Sequence, residues 1–136
     1  MRFETTKDRD RETVAIDAFT KKFGLTYKKL GEHDVDFSIH LDDKLISYVE
    51  VKGRNKESKY AYPLPVAIRK LVKLSDKRIE PVLIWACFDG IIYSKVRDLK
   101  GTVKYGGRAP RQGAVNDQEL MAYFDKSANF TFIPFE

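Results

Sequence analysis

The sequence predicts an α/β fold in which a helix precedes three strands, and a second helix and further strands follow. Three observations point to it: apolar residues at helical spacing between Asp8 and Phe23, two adjoining segments of strict alternation between Asp34 and Lys52, and the unbroken apolar run PVLIWACF at 81–88. A length of 136 residues with 43% hydrophobic side chains suits a single domain over 1–136 built on its own core.

In the first helix Val14, Ala15, Ala18, Phe19 and Phe23 recur at helical spacing, and Gly24 stands where a C-cap is needed. LTYKKLG is read as a short first strand. DVDFSIHL then places Val35, Phe37, Ile39 and Leu41 on one face and Asp34, Asp36, Ser38 and His40 on the other. KLISYVEVK alternates likewise, with Leu45, Val49 and Val51 opposite Ile46, Tyr48, Glu50 and Lys52. The two segments form a hairpin whose register follows from parity. Pairing Leu41 with Leu45 across a three-residue loop sets Phe37 against Val49 and Val35 against Val51, so Asp36 falls opposite Glu50. A two-residue loop without a bulge would put Asp36 opposite a valine. The packing of the apolar face therefore assembles Asp36, Glu50 and Lys52 on the other face.

After the polar KGRNKESKYAYP, a second helix is expected over Leu64 to Lys77, its apolar arc made of Leu64, Ala67, Ile68, Leu71, Val72 and Leu74. Arg69, Lys70, Lys73 and Lys77 populate its opposite side, either as a solvated face or as phosphate contacts. PVLIWACF is a buried strand, and Asp89-Gly90 before IIYSKV signals a second hairpin with both strands near the sheet centre. VKYGGRAPRQGAV is read as a loop, Asn116 and Glu119 as a capping box opening a short helix DQELMAYF, and FTFIPF as an extended segment that Pro134 assigns to an edge.

A net charge of +5 with 33% charged residues favours a polyanionic partner, or an ordinary basic surface with no such role. The single cysteine, Cys87, excludes an intramolecular disulfide and reads as a small core residue. The first residues contain no hydrophobic signal region and eighteen apolar residues nowhere run together, so the expectation is a cytoplasmic protein without a membrane partner.

Two carboxylates facing each other across a hairpin repel unless a cation lies between them, and hard oxygen ligands suit Mg2+ or Mn2+. Lys52, two residues beyond Glu50 on the same face, can hold a water or stabilise charge building on a phosphate. The set suits phosphodiester hydrolysis. The same residues also fit a wet polar face with a surface ion pair of small worth.

Asp36 followed fourteen positions later by the Glu-Val-Lys of EVK on the next strand resembles the signature of the PD-(D/E)XK nuclease superfamily, with the element order of its αβββαβ core over residues 8–95. Val35 stands where the eponymous proline would be. The resemblance implies a restriction-endonuclease-like fold with a mixed sheet, followed here by a loop-helix-strand extension. It also implies a metal-dependent endonuclease hydrolysing DNA, with a non-catalytic nucleic-acid-binding module on the same fold as the alternative. Asp36, Glu50 and the Val51 carbonyl would hold the ion, Glu12 on the first helix would assist, and Lys52 would position or deprotonate water. The layout is similar to small archaeal-type Holliday junction resolvases, which implies branched DNA as substrate and a homodimer. Candidate DNA contacts are Arg54, Lys56, Arg69, Lys73, Lys77, Arg108 and Arg111. His33 and His40 read as surface histidines or as ligands; Tyr60 and Tyr62 read as base-stacking or as packing residues.

Overall fold

The computed structural model describes residues 6–31, 34–76, 79–107 and 118–135. Helix α1 spans Thr6–Phe23 and buries Ala15, Ile16 and Phe19. It stops because Gly24 adopts φ +66°, which lets the Leu25 N–H reach back to the Thr20 carbonyl at 2.9 Å and close a Schellman turn. Val14 is exposed, and Phe23 turns edge-on to Phe19 and Tyr93 at the margin of the core.

Strand β1 (Thr26–Lys29) pairs antiparallel with β2 (Phe37–Leu41), which pairs antiparallel with β3 (Lys44–Gly53). Phe37 faces Val49, as the apolar pattern requires. The expected Leu41 to Leu45 pairing is replaced: Leu41 faces Lys44 and His40 faces Leu45, across a turn of only Asp42 and Asp43. A bulge between Ile39 and His40 restores the parity that so short a turn would break. Asp42 and Asp43 have φ of 50° and 65°, the left-handed pair of a type I′ turn, which matches the twist of the flanking strands. Asp43→Gly should therefore raise stability by about 0.5–1 kcal/mol in urea unfolding. An unchanged midpoint would show that the aspartate already offsets its own backbone strain.

Strand β5 (Pro81–Ala86) lies parallel to β3, and β6 (Gly90–Lys95) and β9 (Thr131–Pro134) follow antiparallel, giving a mixed sheet ordered β1-β2-β3-β5-β6-β9. Pro134 is on an edge strand, where a missing donor costs nothing. Helix α1 covers one face, against Val49, Val51, Val82, Ile84 and Ile91. The other face presents Leu83, Trp85, Cys87 and Ile92 to helix α2 (Ile68–Ser75) and to a second, antiparallel sheet of three strands. Burial on both faces explains why β5 is a continuous apolar run. Cys87 is buried, and burial, assisted by the Asp89 charge, pushes its thiol up to about 11.

The second sheet corrects the expectations for the C-terminal half. Leu64–Ala67 is strand β4, and α2 begins only at Ile68; Pro63 and Pro65 hold the preceding chain extended, and Val72 of the expected apolar arc is exposed. The expected loop begins as strand β7 (Thr102–Gly107), and the expected helix DQELMAYF is strand β8 (Gln118–Phe124). Its Glu, Leu, Met and Ala favour a helix locally, but the order β4-β8-β7 makes β8 the central strand, paired with neighbours on both sides. Asn116 of the expected capping box lies outside the described residues.

Candidate active site

Asp36 immediately precedes β2, and its carbonyl accepts the Leu30 N–H at 3.0 Å, which extends the β1–β2 ladder by one step. Its N–H donates to Glu50 Oε2 at 3.0 Å, and the Val51 N–H donates to Asp36 Oδ2 at 2.8 Å. The two acids thus bind each other's strand reciprocally. In an extended strand the N–H and C=O of one residue project to the same edge, so the Val51 carbonyl is directed toward the Asp36 side beyond the start of β2. Glu50 is 4% exposed. Such a buried carboxylate needs a partner, and Lys70 on α2 supplies one, with Nζ 3.0 Å from Glu50 Oε1.

Glu12 on α1 reaches the cluster through a lysine. Lys29 Nζ on β1 is 2.9 Å from Glu12 Oε2 and 3.9 Å from Asp36 Oδ1, and lies 4.8 Å from the centre of the Phe37 ring. Burial first, then the negative charges of Glu50 and Glu12, push the Asp36 carboxyl up to about 7, against the opposing pull of the Val51 N–H and Lys29. Lys52 is half-buried at the end of β3, two residues beyond Glu50 and therefore on the same face, in register with Trp85. Strand β3 ends at Gly53, where a Cβ would come within 2.9 Å of the Arg11 guanidinium that crosses from α1 to Asn55.

The other candidate residues are placed differently. Arg54 donates to the Ala61 carbonyl at 2.9 Å and to that of Pro63 at 3.4 Å, bracing the loop after β3. Arg69 pairs with Glu119 at 2.9 Å. Lys56 is exposed, with its carbonyl accepting the Phe88 N–H, and Lys73 is half-exposed one turn beyond Lys70. Lys77, Arg108, Arg111 and His33 lie outside the described residues. His40 shares a hydrogen bond with Ser38 at 2.9 Å. Tyr62 packs edge-on to Phe130, whereas Tyr60 is exposed with Lys59 over its ring.

Two residues at the cluster, Lys29 and Lys70, have no counterpart in the charged pattern of the hairpin. For Lys29 the signal was the alternation of Tyr27 and Lys29 along β1; for Lys70 it was a lysine in the first turn of the helix that follows EVK.

Among the described residues no three Asp, Glu, His or Cys side chains converge as a ready cation site. Glu12 is held by Lys29 and one Glu50 oxygen by Lys70. The donor set nevertheless fits a divalent ion chemically: a hard cation would offset the burial and the neighbouring negative charge that keep a proton on Asp36 near neutrality. Its uptake would require the lysines to give way.

The family model described as "Phage putative PDDEXK endonuclease" matches residues 1–132. No curated protein and no solved structure matches the chain.

Proposed function

The chain belongs to this PDDEXK endonuclease family, and from that membership we propose that it is a metal-dependent endonuclease hydrolysing DNA phosphodiester bonds. The observation that supports this reading most directly is the reciprocal pair of bonds that joins Asp36 to Glu50 and to the Val51 N–H at the mouth of the sheet, with Lys52 next on the same face. Asp36, Glu50 and the Val51 carbonyl would hold the ion, with Glu12 assisting once released from Lys29. The ion, when bound, would supply Lewis acidity toward water and phosphate. Asp36 would give up its proton on loading. Lys52 would orient the attacking water, take its proton or stabilise charge gathering on the phosphoryl oxygens, as a preorganised donor in a partly desolvated site. Lys56 and Lys73 are open to phosphates on either side; Arg54 and Arg69 have first to leave their present acceptors.

The test is cleavage of labelled four-way, flapped, duplex and single-stranded DNA, with and without Mn2+, by the parent, Glu50→Ala and Lys52→Ala. Glu50→Ala should bind the ion more weakly. Lys52→Ala should keep or improve metal affinity, because it removes a like charge, yet cleave about 10² to 10³ times more slowly. Equal single-turnover rates for Lys52→Ala and the parent would remove Lys52 from the mechanism. A parent that binds DNA but cuts none of the panel would favour the non-catalytic binding module. Preference for the four-way substrate would support the junction-resolving reading over a general nuclease.

A further inference from the structure

We infer that Lys70 is the resident counter-cation of Glu50 and that a divalent ion binds this cluster by exchange with it, an inference that rests on the nuclease reading above. Glu50 is a strand residue with a side chain only 6% exposed, so water contributes little to its charge. Its two oxygens have separate holders: Oε2 accepts the Asp36 N–H, and Oε1 faces the Lys70 ammonium at 3.0 Å. The first bond is backbone and fixes the carboxylate. The second comes from a long, one-third exposed side chain in the first turn of α2, which can swing outward without disturbing the sheet.

Lys29 plays the matching part on the far side, from β1, against Glu12 and Asp36. Two cations from different elements therefore stand where hard-metal charge is wanted. This arrangement keeps a carboxylate cluster folded without metal, and it makes metal compete with an ammonium for the same oxygen. Lys70 is thus a positioning residue that sets metal affinity. Once displaced, it remains on the polar side of α2 with Arg69 and Lys73, beside the phosphate that the cluster would engage.

The experiment uses the full chain and Mn2+ alone as probe. Calorimetric titration is run on the parent, Lys70→Met, Lys70→Gln and Lys70→Arg, beside thermal unfolding with and without the ion. Lys70→Met and Lys70→Gln should bind Mn2+ about tenfold or more tightly, melt lower without metal because Glu50 loses its partner, and gain a larger upward shift on adding it. Lys70→Arg, which retains the charge, should stay near the parent in affinity. A purely structural lysine would lower the melting temperature and leave Mn2+ affinity unchanged, and that result in both neutral variants overturns the inference. Mn2+ taken up by the neutral variants and not by the parent supports it. The two readings fail separately: the exchange effect with no cleavage of any DNA by the parent overturns the nuclease, whereas cleavage with no effect of Lys70 on affinity overturns only the exchange.

Discussion

Asp36→Asn should cripple metal-dependent cleavage and yet make the metal-free protein more stable above neutral pH. The Asp36 carboxyl is raised from 3.8 to about 7 in the folded chain, chiefly by burial and then by Glu50 and Glu12. The folded state therefore holds this proton more tightly than the unfolded state. Where the native state binds more protons, stability falls as pH rises, so the parent should lose stability from about pH 4 to about pH 7 and stay low above it. The full loss is on the order of a few kcal/mol, since each tenfold difference in proton affinity is worth about 1.4 kcal/mol. Asparagine keeps an acceptor for the Val51 N–H and has no charge to bury, so its stability should lack this slope. The check is urea unfolding of both proteins at pH 5 and pH 8 in chelator: the difference in favour of asparagine should grow with pH. A difference that stays constant would mean that Asp36 is not the group under strain. With Mn2+ in place of the chelator, single-turnover cleavage by Asp36→Asn should drop by at least about 10² to 10³, since a neutral amide is a poor substitute for a hard anionic ligand.

Trp85→Ala should come close to unfolding the protein. The indole is fully buried, edge-on to Phe124 and Phe130 at 6.0 and 5.8 Å, and its Nε1 donates to the Pro65 carbonyl at 2.8 Å. It joins the large sheet to the small one directly under the strand pair that holds Lys52. Truncating a buried tryptophan costs about 3–5 kcal/mol, and the orphaned carbonyl adds about 1–3. That is a large part of the roughly 5–15 kcal/mol typical of a domain. Trp85→Phe should lose much less, since it retains most of the ring volume and gives up only the hydrogen bond. Because this is the chain's single tryptophan, unfolding has to be followed by circular dichroism. Near-parental stability of the alanine variant would show that the two sheets do not depend on this contact.

The hairpin and its acids were legible because period-2 patterning and core burial leave one register in which Phe37 meets Val49. Parity demanded an odd loop or a bulge, and the molecule uses the bulge; turn chemistry alone did not choose between them. Strand β8 was not legible. Its residues are helix formers, and what makes them a strand is pairing with β7 on one side and, far off in sequence, with β4 on the other. For the same reason Leu64 and Ala67 read as part of the apolar arc of α2, although two prolines argue for an extended start. The site was half visible: Asp36, Glu50 and Lys52 announce themselves by spacing, whereas Lys29 and Lys70 look like any solvated lysine until the fold brings them against carboxylates. Arg54 and Arg69 show the converse, basic residues whose guanidinium groups are committed to carbonyls and to Glu119.

The reciprocal bonds between Asp36 and β3 make two backbone amides into spectroscopic reporters. The Asp36 N–H is bound to Glu50 and the Val51 N–H to Asp36, so any change in charge on either carboxylate is felt at an amide proton one hydrogen bond away. In a nitrogen-proton correlation spectrum these two resonances should move when Asp36 titrates and again when an ion is taken up, while the amide of Ile91, on β6 two strands beyond β3, holds still. Occupancy of the site can then be read continuously in variants that cut nothing, with no nucleic acid in the tube.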